Sequence, residues 1–191
     1  MHVLRSTAIG TEIIDSIDHH IHGRVGDILI DSDRGKIIAL LVDRVGFSER
    51  HALMTQDVES WGNRVHVRDA EVMGEVSDFV RLVEHLKNRR PLVGQNIRTK
   101  SGQWMGRCAD VQFRTDTFDL EWIFPRKFLR KSLPLPVSEI LEVTTEAIII
   151  KDQGPKGEEV PVKESVPETR VEPVIAPTTN MNGDTSSHKT L

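Results

Sequence analysis

The sequence has a single cysteine, Cys108, which excludes an internal disulfide and fits a reducing compartment. It has no apolar run approaching the roughly 18–20 residues that cross a bilayer. The opening stretch MHVLRSTAIGTEII lacks the apolar centre of a secretory signal. It has no G-x-S-x-G elbow and no phosphate loop, so neither a serine hydrolase nor a nucleotide-binding enzyme is indicated. Nor is there an excess of positive charge. The formal net charge is −4, which by itself does not suggest a nucleic-acid binder. Only 38% of the 191 residues are apolar, so part of the chain is expected to lie outside any core. The default is a soluble cytoplasmic protein.

What is present divides the chain. From residue 154 onward there is no Phe, Trp or Tyr, and prolines 155, 161, 167 and 173 fall six residues apart. Such a tract cannot bury enough apolar surface to offset chain entropy, so 154–191 reads as a disordered, proline-containing tail. Residues 1–153 are mostly strand-like. KIIALLVD (36–43) has the length of a buried strand, and the turn cluster DSDRG pairs it in a hairpin with residues 25–31. RVHVRD (64–69) and AIIIKD (147–152) each read as a further strand. One stretch differs. Val76, just before residues 77–90, and Phe79, Val80, Val83 and Leu86 within them fall at helical spacing, with Ser77 or Asp78 as a cap and Pro91 as a stop.

The strand-like region contains a repeat. GRVGDILID (23–31) returns as GRCADVQFR (106–114), placing Gly23 against Gly106, Asp27 against Asp110, and Val25 against Cys108. Gly10 then falls against Gly94, and HALMTQDVESW against KSLPLPVSEIL. The two glycines suit sharp turns from one strand into the next, and the two aspartates suit acceptance of nearby backbone N–H groups. A lone carboxylate in each copy does not suggest acid–base chemistry. The pattern around GRVGDILIDSDRGKIIALLVD and ALMTQDV, and around GQNIRTKSGQWMGRCADVQF, LPLPVSEILEV and AIIIKD, resembles the PRC-barrel family over residues 4–72 and 91–153. That family is named for the cytoplasmic domain of the photosynthetic reaction-centre H subunit. It also supplies the C-terminal domain of a ribosome-maturation factor and stand-alone barrels, some linked to cell division. The resemblance implies a small antiparallel barrel of about six strands, twice. It implies binding or assembly modules without shared catalytic residues. The membrane helix of the H subunit is not seen here.

Candidate sites follow from side-chain chemistry. Asp18, His20 and His22 in DHHIH are weak candidates for a divalent metal, set against a plain solvated turn. Cys108 aligns with an inward position and reads as a buried, inert thiol. Trp61, Trp104 and Trp122 read as core or rim packing. The charge asymmetry is more informative. Residues 1–74 carry 8 Lys/Arg and 12 Asp/Glu, and residues 81–131 carry 12 Lys/Arg and 5 Asp/Glu. Arg126, Lys127, Arg130 and Lys131, helped by Lys87, Arg89 and Arg90 at the helix end, form a basic strip. It would contact either an anionic partner or the acidic first half.

The sequence thus leads to a mainly β chain of two tandem PRC-barrel-like units (1–74 and 91–153), a linker helix (75–90) and a tail (154–191). The expected role is a non-enzymatic scaffold for protein–protein assembly, without cofactor. The alternative is an RNA- or ribosome-associated assembly factor using the basic second unit. Partner classes that suit the pattern are a protein surface, RNA, a membrane-surface headgroup and a second copy of the chain.

Overall fold

Strands carry nearly all of the regular structure, as short β-branched runs between turn clusters require. The computed structural model describes residues 1–152 except Val45, Phe47, Ser48, Asn88, Arg89 and Leu129, and of Arg130 and Lys131 only the backbone. The proline-spaced tract lies outside the described residues. In chain order the elements are β1 (His2–Leu4), one helical turn α1 (Arg5–Ala8), β2 (Glu12–Asp15), β3 (Ile21–Asp31), β4 (Lys36–Asp43), β5 (His51–Met54), β6 (Val58–Trp61), β7 (Val65–Val67) and β8 (Met73–Glu75). Then come α2 (Val80–Lys87), β9 (Asn96–Thr99), β10 (Trp104–Arg114), β11 (Leu120–Lys127), β12 (Arg130–Lys131), β13 (Leu135–Pro136), β14 (Ile140–Val143) and β15 (Ala147–Ile150). No helix among the described residues is long and apolar enough to cross a membrane.

The strands form two sheets. The first runs β6-β7-β2-β3-β4-β5-β8, and the second runs β12-β11-β10-β9-β15-β14, with β1 on β10 and β13 on β11. The continuous apolar strand β4 is an inner strand, paired with β3 on one edge and β5 on the other. Each sheet is antiparallel apart from one parallel pairing, β2 with β7 and β9 with β15.

The repeat extends to the backbone hydrogen bonds. Gly10 N–H donates to the Val25 carbonyl and Gly94 N–H to the Cys108 carbonyl, each at 2.7 Å. Both long strands shift register at an equivalent place, between Val25 and Asp27 and between Cys108 and Asp110, and again between Leu29 and Ile30 and between Gln112 and Phe113. Asp27 and Asp110 then each accept the next N–H, at 2.8 Å from Ile28 and 2.9 Å from Val111. Gly23 and Gly106 lie inside β3 and β10, not at turns between strands as expected. Their reason is close approach. A Cβ on Gly23 would lie 2.8 Å from the Asp43 carbonyl oxygen, and one on Gly106 would lie 2.7 Å from that of Arg126. Gly106 also has φ +119°.

The main core draws on both sheets. Val25, Ile28, Leu40 and Leu53 belong to one buried cluster with Ile97, Val111, Phe113 and Ile148. Trp61 of the first sheet stands edge-on to Phe113 at 5.4 Å. Main-chain bonds cross as well, from Leu120 N–H to the Gly35 carbonyl at 2.8 Å and from Ile37 N–H to that of Phe118 at 2.9 Å. Strand β1 pairs with β10, through His2 with Arg114 and Leu4 with Gln112. The residues that follow hold both bulges. Arg5 pairs with Asp27 at 2.7 Å, and Ser6 N–H donates to Asp110 at 3.2 Å.

The helix is shorter than expected and differently phased. A tight 3₁₀ turn occupies Val76–Asp78, where the cap was expected, and α2 begins at Val80. Leu82 is its buried residue, packed with Phe79 and Leu86 on Leu29, Ala39, Leu41 and Ala52. Val80, expected on the apolar face, is 70% exposed. The turn resets the angular position of every later residue. The helix therefore covers the far face of the first sheet, and the two sheets meet directly.

Candidate functional site

Strand β11 leaves the core at its end. Its residues alternate inward at Leu120, Ile123 and Pro125, and Arg126, Lys127 and Phe128 then stand exposed. Phe128 is 82% exposed, with φ +53°. Its ring meets Trp104 edge-on at 5.7 Å, and the Lys127 ammonium lies 5.4 Å from the same indole. Trp104 Nε1 donates to Asn96 Oδ1 at 3.3 Å, which fixes the indole plane. Arg107 lies directly opposite Arg126 and Arg98 opposite Trp104. Lys131 pairs with Arg126, and Arg130 with Lys127, through the backbone. Among the described residues no carboxylate pairs with Arg98, Arg107, Arg126 or Lys127. The result is an open cationic face with an aromatic centre.

The first sheet has the same row with different charges. Cross-strand neighbours Glu12, Arg24 and Asp43 occupy the positions that Asn96, Arg107 and Arg126 occupy in the second sheet. Arg24 pairs with Glu12 at 3.0 Å, and Arg64 reaches the other oxygen of that carboxylate at 3.1 Å. One arginine is common to both rows. It has two acidic neighbours in the first sheet and none in the second. Like charges facing across strands oppose sheet formation, so the second row is not chosen for stability.

No family model matches the chain. It is similar to two curated proteins called probable bifunctional tRNA threonylcarbamoyladenosine biosynthesis proteins. The one from Methanosarcina barkeri is 27% identical over 139 residues and the one from Methanosarcina acetivorans 28% over 145 residues. Each alignment covers 70% of this chain and 24% of the relative. The chain therefore spans about a quarter of the length of these relatives.

The other residues singled out in the sequence fall as follows. Cys108 is buried, and burial pushes its thiol up to about 12, so at neutral pH it holds its proton. Lys87 is exposed at the end of α2, and Arg89 lies outside the described residues. Arg90 is not a free cation. Its guanidinium donates to the Val143 carbonyl at 2.9 Å and pairs with Asp33, while its own carbonyl accepts from Ser32 Oγ at 2.7 Å. It ties the end of the helical segment to both sheets' loops. In the histidine cluster, ligand atoms of Asp15, Asp18 and His22 all lie within 4.8 Å of one another. The His20 ring stands 5.0 Å from that of His22. Asp15 joins the set from the end of β2. Its distance from DHHIH in sequence is short, but only the pairing of β2 with β3 faces it toward His22. Trp104, Phe128, Arg98 and Arg107 were likewise missed as a group. The signal for them was the excess of cations in residues 81–131.

Proposed function

We propose that the chain is a non-enzymatic assembly module of the PRC-barrel kind, two barrel units in tandem, and that it holds RNA on the cationic face of its second sheet. The carrying observation is the row Asn96–Arg107–Arg126, which has no acidic neighbour and borders Trp104 and Phe128. RNA supplies what this face can bind. Phosphates pair with guanidinium and ammonium groups, and unstacked bases pack on exposed rings. An open face with rings and cations suits a macromolecule better than a small substrate, which needs a concave pocket. The similarity to proteins named for tRNA biosynthesis supports an RNA-related role. It is what moves the reading from a protein scaffold to RNA. The inert Cys108 leaves the non-enzymatic reading in place. Action in the cytoplasm fits a chain whose one thiol is free.

The test uses the full chain, a labelled tRNA transcript and a labelled single-stranded oligoribonucleotide. Fluorescence anisotropy should show binding that weakens with salt, by about 0.7–0.9 logarithmic units per tenfold salt for each phosphate neutralised. The triple variant Arg107→Gln, Arg126→Gln, Lys127→Gln should reduce that slope by about two to three phosphate contacts and leave thermal stability unchanged. Phe128→Ala should cost roughly 1–3 kcal/mol of binding without changing the slope. Wild-type protein that ignores both RNAs, or a triple variant that binds as well as wild type, would refute the proposal. Protein partners that survive RNase on affinity capture, with no RNA binding, would return the chain to the scaffold role.

A further inference from the structure

We propose that Asp15, Asp18 and His22 bind a divalent transition metal ion at the turn between β2 and β3. The site lies on the first sheet and stands apart from the RNA reading. Strand β2 ends on Asp15, and β3 begins at Ile21. Asp15 Oδ1 accepts the N–H of Ile17 at 2.5 Å and that of Asp18 at 3.3 Å, which anchors the carboxylate. Its other oxygen lies 3.8 Å from His22 Nε2. That is too far for a hydrogen bond. It is near the separation of about 3.3–3.5 Å that two ligands adopt on one tetrahedral ion at zinc bond lengths. Asp18 brings a third donor within 4.8 Å of both.

Two further observations point to a ligand. First, His22 Nε2 is fully buried and has no hydrogen-bond partner. A buried imidazole nitrogen left unpaired costs free energy that coordination would recover. Second, the fold closes the same turn elsewhere without these side chains. Ser16 N–H donates to the Val67 carbonyl and Lys100 N–H to that of Ile150, each at 2.9 Å, so Asp15 and Thr99 hold equivalent places. In the second sheet the turn is closed by hydroxyl groups and by the carboxylate of Asp152, which accepts the Ser101 N–H at 2.8 Å, with no imidazole. Thr99 Oγ1 accepts from Gln103 N–H at 3.0 Å and meets Ser101 Oγ at 2.9 Å. Folding therefore does not require imidazole and paired carboxylates at this position.

The donor set selects the ion. Imidazole with carboxylate and no thiolate suits zinc, nickel or cobalt(II) rather than copper(I). A histidine ligand disfavours calcium and magnesium, which take oxygen. His20, edge-on 5.0 Å from His22, offers a further donor, and water completes the shell otherwise. His20 and His22 also line a surface cleft with Ile21 and Gly23, bordered by the opposite charges of Asp43 and Arg44. A bound ion would fasten the β2–β3 turn beside β7.

The test titrates the full chain with zinc chloride by calorimetry and with cobalt(II) by visible absorption. One equivalent should bind at pH 7.5. His22→Gln should weaken binding at least tenfold. Asp18→Asn, an exposed change that leaves the fold intact, should weaken it several-fold. His2→Gln, on the second sheet's added strand, should leave it unchanged. Saturating zinc should raise the melting temperature of wild type and not that of His22→Gln. Absence of saturable uptake, or uptake by Asp18→Asn and His22→Gln equal to wild type, would overturn the site. The second result would mean that the ion binds elsewhere on the chain.

Discussion

The rows Glu12–Arg24–Asp43 and Asn96–Arg107–Arg126 hold one arginine in two settings. In the first sheet it pairs with Glu12 and stands opposite Asp43. In the second it faces another arginine, with an indole and an exposed phenyl ring at the edge. The backbones share the bulge and a glycine beside the arginine, though only Gly106 has a positive φ. Whatever separates the two faces was therefore not imposed by folding. A fold that occurs twice carries its own control, because positions that differ between copies report on selection other than for stability.

The largest effect expected is at the glycines. Gly106→Ala would set a Cβ 2.7 Å from a backbone oxygen at φ +119°, whereas Gly23→Ala meets a similar contact without the positive φ. Urea unfolding should show a loss of about 3 kcal/mol for Gly106→Ala. Gly23→Ala should lose less, by about 1 kcal/mol or more. Equal losses would mean that the shared backbone contact alone sets the cost and that the positive φ of Gly106 adds nothing.

The next comparison sets Cys108 against its counterpart Val25. Burial raises the folded thiol to about 12, above its unfolded value of about 8.5. Between those values the native state holds a proton that the unfolded state has lost. Stability should be unaffected by this group below about pH 8.5 and fall as pH rises above it, by at most about 1.4 kcal/mol per pH unit. The chain has no tyrosine, so no phenol titrates in that window. Cys108→Ala should cost roughly 1 kcal/mol at neutral pH through a small cavity and should abolish that part of the alkaline slope. Denaturant midpoints of both proteins from pH 8 to 10.5 provide the check.

The smallest effect concerns the common arginine itself. Arg24→Gln removes an exposed ion pair and should cost less than about 1 kcal/mol. Arg107→Gln removes a repulsion and should be neutral or slightly stabilising. Melting temperatures in low salt should separate the two, and the gap should close in high salt. An Arg107→Gln protein less stable than Arg24→Gln would show that Arg107 has a structural partner.

Local features were legible in the sequence. The Gly23/Gly106 and Asp27/Asp110 correspondence gave the repeat in register, and the DSDRG turn gave the β3–β4 hairpin. What escaped was whatever depends on distant pairing. Nothing in HVL at residues 2–4 says that it joins β10. Arg90 looked like part of a basic helix end because Asp33 and Val143, which occupy it, are far away in sequence. The helix face was misjudged by one position, because a 3₁₀ turn and a first turn of α-helix share the same spacing of apolar residues. Asp15 was overlooked beside DHHIH because a strand end and a turn were read separately. The cationic face was legible as a surplus of charge but not as a site, since Trp104 reaches Phe128 only through the pairing of β10 with β11.

The crossing of β1 has a consequence for how the chain is made. Thr115 N–H donates to the Met1 carbonyl at 2.9 Å across 114 positions. On the ribosome, residues 2–4 must wait for more than a hundred further residues before their partner strand emerges, and Ser6 waits with them to reach Asp110, whereas Arg5 meets Asp27 only 22 positions on. The first sheet can gather its local hairpins early, but the seam closes only when β10 and β11 are out of the exit tunnel. Contacts of such long span slow folding and leave an unpaired strand edge exposed meanwhile. Assembly of this fold is thus a late, concerted event rather than one unit completed and then the next.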